Sequence, residues 1–140
     1  MKDGGLGGVL KKYLPFVDFQ SVETWSTGQG VPDLNFCFDR YEGWLELKMT
    51  STNKVKIRAE QIAWIERRCR AGGRVFLVVR YKHKASARKQ IRDELYLFRG
   101  KDIRAVFLGG IEGAQPLYIS NGGPARWDWE AFSSALKASP

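Results

Sequence analysis

The sequence predicts one α/β domain with a central mixed β-sheet flanked by helices, and three observations lead there. Two short apolar-rich runs, Asp33 to Phe38 and Gly43 to Met49, stand either side of four polar residues, Asp39 to Glu42, the arrangement of an antiparallel hairpin. A helical stretch follows from Arg58 to Ala71, closed by Gly72-Gly73 in the position of a C-cap. Val75-Phe-Leu-Val-Val then reads as a strand buried on both faces, within Arg74 to Tyr81. Strand, helix, strand is a crossover, so this strand is expected parallel to the one before the helix. At 140 residues, 44% apolar and 13% aromatic, the chain is sized for one domain with a real core, and its composition argues against disorder.

Taken in order, residues 1–8 are glycine-rich and expected to be flexible. Val9 to Leu14 makes one or two helical turns with Val9, Leu10, Tyr13 and Leu14 on one face, ended by Pro15. Phe16 to Trp25 alternates as a strand, with Phe19, Ser21, Glu23 and Trp25 on the same side. A small polar turn, Ser26 to Gly30, delivers the chain to Pro32-Asp33. After the hairpin comes a polar loop, Thr50 to Asn53, continued by Lys54 and Lys56. In the helix, Ile62, Ile65 and Cys69 form the buried stripe with Ala59 extending it, and Arg67, Arg68 and Arg70 complement the dipole of the last turn. Tyr81 to Arg92 is intensely basic, Glu94 to Arg99 alternates as a strand, and Asp102 to Leu108 makes a short helix. Leu117-Tyr-Ile supplies a short edge strand in a Gly- and Pro-rich segment, and Trp127 to Leu136 closes the chain as a helix.

Charge narrows the partners. A net charge of +8 and a pI near 9.7 point to a polyanion, most simply nucleic acid. Two cysteines, Cys37 and Cys69, are too few for a zinc site or a disulfide framework and read as buried thiols of a reducing compartment. No signal-peptide pattern opens the chain and no apolar run reaches the length of a membrane span, so the cytoplasm is expected. The single histidine, His83, lacks the partners of a histidine-metal nuclease.

The hairpin also carries the chemistry. Antiparallel pairing sets the start of the first strand beside the end of the second, so Asp33 and Glu46 meet at one end of the sheet. Side chains alternate, which places Glu46 and Lys48 on one face while Leu45 and Leu47 pack on the other. Two carboxylates and an ammonium gathered at one place suit a hard divalent cation held against a phosphate.

Pro32-Asp33, twelve intervening residues, then Glu46-Leu47-Lys48 resembles the signature of the PD-(D/E)XK nuclease superfamily, with Gln61 on the following helix as in several of its branches. The approach Ser26 to Asp33 is similar to that of small Holliday junction resolvase-like and phage VRR-NUC-like members, and the resemblance spans Phe19 to Tyr81. It implies a restriction-endonuclease-like core and a DNA endonuclease dependent on Mg²⁺, for which Mn²⁺ substitutes. The implied metal ligands are Asp33, Glu46 and the backbone carbonyl of Leu47. Lys48 would position or help deprotonate the attacking water, Gln61 would orient that water or a phosphate oxygen, and Glu23 would reach the metal site or hydrogen-bond beside it. Relatives often carry a further glutamate on the first helix; here Lys11 and Lys12 stand there, and the nearest acid is Asp3.

Candidate phosphate contacts are Ser26, Thr27, Thr50, Ser51, Lys54 and Lys56 beside the acids, with Lys82, Lys84 and Arg88 in the basic run. Small members of this kind are often homodimers that resolve branched DNA, the substrate favoured here. Two alternatives stand beside it: a sequence-nonspecific or nicking nuclease, and a catalytically inactive nucleic-acid-binding module.

Overall fold

The hairpin forms, and it is tighter than its spacing implied. Strand β2 (Leu34–Phe38) turns into β3 (Tyr41–Thr50) through Asp39 and Arg40 alone, both at positive φ (48° and 69°). Positive φ at both central residues is the hairpin geometry whose twist matches the flanking strands. Tyr41 and Glu42, expected in the turn, therefore enter β3 opposite Phe38 and Cys37. The turn lacks glycine and is held from outside: Lys137 Nζ lies 2.7 Å from Asp39 Oδ2 and sits over the Phe38 and Tyr41 rings.

The computed structural model describes residues 4–22, 29–83 and 91–140. Around the hairpin runs a six-stranded mixed sheet whose spatial order follows the chain, completed by β1 (Asp18–Ser21), β4 (Val75–His83), β5 (Arg92–Arg99) and β6 (Tyr118–Ser120). Every neighbouring pair is antiparallel except β3 and β4, which run parallel as the crossover required. The helices are α1 (Leu6–Tyr13), α2 (Ala59–Arg70), α3 (Ile103–Gly109) and α4 (Trp129–Ala135), with 3-10 turns at Gly100–Asp102 and Gly110–Gly113.

Alternation along the strands divides the core in two. Leu45, Leu47, Phe76, Val78, Leu95 and Leu97 pack with Leu6 and Leu10 of α1 and Phe132 of α4. Val75, Leu77, Val79 and Phe98 pack against Ile62 and Ile65 of α2 and Ile103 and Val106 of α3. Glu46 and Lys48 belong to this second face, opposite Leu45 and Leu47, as the two-residue period demands. Among the described residues, no helix is long and apolar enough to cross a membrane.

Several boundaries differ from those expected, each for a packing reason. Helix α1 begins at Leu6, within the segment expected to be flexible, because Leu6 and Leu10 are fully buried. Ala59 is exposed; Trp64 takes the buried position instead, edge-on to Trp44 with ring centroids 5.5 Å apart and the Arg68 guanidinium 4.5 Å over its ring. Helix α4 starts two residues late because Asp128 caps it, accepting from the Ala131 N–H at 2.9 Å. Trp127 is buried outside the helix and donates its indole N–H to the Asp93 carbonyl at 3.0 Å. Cys37 and Cys69 are free thiols, half-buried rather than buried.

The basic run also contributes to the sheet, since β4 extends to His83 and β5 starts at Arg92. Beneath it Arg80 makes two parallel bonds to Asp93, at 2.8 and 2.7 Å, with the guanidinium 5.2 Å from the Trp127 ring centroid. Both side chains are about nine-tenths covered (9% and 12% exposed), so Asp93→Ala strands a buried cation. The expected loss is about 3–5 kcal/mol, read as a lower urea midpoint at unchanged slope.

Candidate active site

Asp33 is set by the loop before β2. Gly30 has φ +84°, and a Cβ there would lie 2.1 Å from the Glu60 carbonyl oxygen. The loop therefore rests directly on the first turn of α2, an approach only glycine permits. Backbone pairing continues past β1, where the Val22 N–H donates to the Asp33 carbonyl at 2.9 Å. The Asp33 side chain reaches across to β3 and accepts the Leu47 N–H on Oδ2 at 2.8 Å. A strand residue's N–H and C=O leave the same side of the strand, so the Leu47 carbonyl also points toward the Asp33 edge.

Glu46 is 1% exposed. Its Oε2 accepts from Gln61 Nε2 at 3.2 Å and lies 3.7 Å from Lys48 Nζ, while its Oε1 is buried and meets no hydrogen-bond partner among the described residues. Burial, then the neighbouring Asp33 carboxylate, push its pKa up to about 8, with Lys48 pulling the other way. That shift favours the neutral carboxyl over the charged one.

Gln61 ties the group together. Its Oε1 accepts from Lys48 Nζ at 2.9 Å and from the Arg58 N–H at 3.0 Å, and its Nε2 donates to Glu46. One side chain thus caps α2 and fixes the distance between the lysine and the acid. The sequence carried a signal for this, since Gln61 stands three residues after Arg58, the spacing at which a glutamine reaches back to a helix N-cap. Gln61→Ala removes the cap and leaves Glu46 and Lys48 without that partner, and is expected to cost about 1–3 kcal/mol of thermal stability.

Beside Lys48 opens a pocket of about 480 Å³ whose wall includes Thr50, Ser51, Lys54 and Lys56. The wall is a built loop. Asn53 Nδ2 donates to the Gly109 carbonyl at 3.0 Å, while its Oδ1 and its carbonyl accept the Glu112 and Ile111 N–H groups at 2.9 and 2.8 Å. Val55 and Ile57 are buried, so Lys54 and Lys56, one residue before each, project outward. Asn53 escaped the sequence reading because its partners lie more than fifty residues on. Thr50 is spent inside the loop: its hydroxyl oxygen lies 2.7 Å from the Lys54 carbonyl and accepts the Thr52 N–H at 3.2 Å.

The structure therefore brings together Asp33, Glu46, Leu47, Lys48 and Gln61, with Ser51, Lys54 and Lys56 at the mouth. It does not bring Lys82 to them, because Lys82 falls on the sheet face of Phe76, Val78 and Arg80, opposite that of Glu46 and Lys48. Asp3, Glu23, Ser26, Thr27, Lys84 and Arg88 lie outside the described residues. Among the described residues, no three His, Cys, Asp or Glu side chains gather as a metal cage. Asp33 and Glu46 are two side-chain oxygen donors, a set that suits Mg²⁺, which binds through one or two carboxylates and keeps its waters. The unpartnered Glu46 Oε1 is the atom such a cation would satisfy.

No protein-family model matches the chain, and no curated protein matches it.

Proposed function

We propose that the chain is a metal-dependent DNA endonuclease with a restriction-endonuclease-like core of the PD-(D/E)XK kind. The observation that carries this reading is Glu46: a carboxyl buried with one oxygen unpartnered among the described residues, held between Asp33 and Lys48 at the edge of a basic pocket. The sheet order, hairpin then α2 then a parallel strand, is the frame such a core needs.

Asp33, Glu46 and the Leu47 carbonyl would hold Mg²⁺ or Mn²⁺. A bound divalent cation lowers the pKa of its water and offsets the charge that develops on phosphorus-bound oxygens. The chain's own residues do the rest. Lys48, kept in place by Gln61, presents an ammonium to a water or a non-bridging phosphate oxygen arriving from the pocket. Lys54 and Lys56 hold the phosphodiester backbone on the outer wall, and Ser51 offers a hydroxyl there. Glu46 would give up its proton to serve as a ligand to that cation.

Branched DNA is the favoured substrate, cut by a homodimer whose paired sites make symmetric incisions in the cytoplasm. Among the described residues only Asp33 and Glu46 bring carboxylates to the site, which favours one rival, a nucleic-acid-binding module without catalysis. Incubation with plasmid, linear duplex and a synthetic four-way junction in Mg²⁺ or EDTA separates them. The proposal expects junction cleavage in Mg²⁺ and none in EDTA. Cleavage of no substrate would leave the binding module, and linear duplex cut as fast as junction would remove the resolvase reading. Binding measured in EDTA should weaken steeply with salt, because each lysine or arginine on a phosphate releases counterions; a flat response would count against Lys54 and Lys56.

A further inference from the structure

The outer face of α3 ends in two apolar residues that the core does not use. Ile103 and Val106 are fully buried, whereas Phe107 and Leu108 are 43% and 77% exposed. The next residues, Gly109 to Glu112, are the ones bonded to Asn53, so this apolar tip is fixed to the loop that presents Lys54 and Lys56. Gly110 makes the junction close: at φ +74°, a Cβ there would sit 2.2 Å from the Asn53 carbonyl oxygen. Glu112 brings one acidic side chain to this clamp, against two exposed lysines. A rigid, projecting apolar pair beside paired cations matches the two chemistries of nucleic acid, a stack of aromatic bases flanked by phosphates.

We infer that Phe107 and Leu108 form a wedge that enters the base stack of the DNA whose backbone lies along Lys54 and Lys56. Apolar side chains inserted at a base step replace base–base contacts with side-chain contacts, and the unstacking costs roughly a few kcal/mol per step. That cost is smallest where the stack is already interrupted, so the wedge selects duplex DNA at a branch, nick or gap over continuous duplex. The inference rests on the DNA-binding half of the proposed function and not on its metal chemistry.

The test is fluorescence of 2-aminopurine placed at a nick or at the branch of a synthetic junction, titrated in EDTA so that nothing is cut. Wild type is expected to raise the fluorescence severalfold. Phe107→Ser with Leu108→Ser should abolish the rise while keeping affinity for continuous duplex within about twofold, since the phosphate contacts remain. Lys54→Ala with Lys56→Ala should weaken binding to both DNAs by about tenfold or more at low salt. Wild type that binds with flat fluorescence, or a serine variant that keeps the rise, would overturn the wedge and leave the nuclease reading standing. No binding to any DNA would overturn both, and a rise in fluorescence without cleavage in Mg²⁺ would uphold the wedge and sink only the hydrolysis. Light scattering addresses the other occupant: a wild-type dimer that the serine variant turns into a monomer would make this patch a contact between copies, against the inference.

Discussion

Glu46→Gln is expected to reduce Mg²⁺-dependent cleavage by about 10²–10³-fold, the scale of losing a group that stabilises transition-state charge, while making the metal-free protein more stable at pH 8. The two effects have one cause. In the folded chain the Glu46 carboxyl titrates near 8 rather than at its ordinary 4.5, chiefly because it is buried and next to Asp33. Between those values the folded state holds a proton that the unfolded state has released, so stability falls as pH rises across that window. Glutamine has nothing to release. The melting temperatures of wild type and variant in EDTA should nearly coincide at pH 4.5 and diverge up to about pH 8, the variant higher. Mg²⁺ should then raise the wild-type midpoint, more at pH 8 than at pH 6, because the cation takes the place of the proton; the variant should not respond. A variant that cuts at the wild-type rate, or one that melts lower than wild type at pH 8, would remove Glu46 from the role assigned to it.

Lys48→Ala is the second large effect. Cleavage is expected to fall by about 10²–10³-fold, the usual range for removing a donor aimed at transition-state charge, with duplex affinity in EDTA changed little because Lys54 and Lys56 still face the pocket. The same change removes the cation 3.7 Å from Glu46 and a donor to Gln61 Oε1, so the carboxyl should titrate higher still. A merely structural lysine would lower stability and affinity together and leave the pH–rate profile unmoved. Loss of rate with a profile shifted to higher pH in any residual activity is the outcome expected here.

The sheet and the acids were legible because short-range rules fix them. Hydrophobic alternation at Leu45 and Leu47 set the face of Glu46 and Lys48, and a helix followed by Val75 to Val79 set the parallel pairing. The turn was not, because Asp39 and Arg40 take positive φ without glycine and rely on Lys137, almost a hundred residues away, to hold them. For the same reason the sequence marked Gln61 as a site residue without its ties to Lys48 and Glu46, and showed Asn53 as one loop polar residue. What each does depends on partners that only the folded chain brings near, the Lys48 and Glu46 side chains in one case and Gly109 to Glu112 in the other. Burial of Leu6, likewise, needed the opposite sheet face to be known before a glycine-rich start could be read as helix.

The most direct measurement is an anomalous difference map from crystals soaked in Mn²⁺. One strong peak is expected within about 2.0–2.3 Å of Glu46 Oε1, an Asp33 oxygen and the Leu47 carbonyl, its remaining positions filled by water. A map without density there in crystals whose other sites take up Mn²⁺, or a peak held only by surface carboxylates elsewhere, would contradict it.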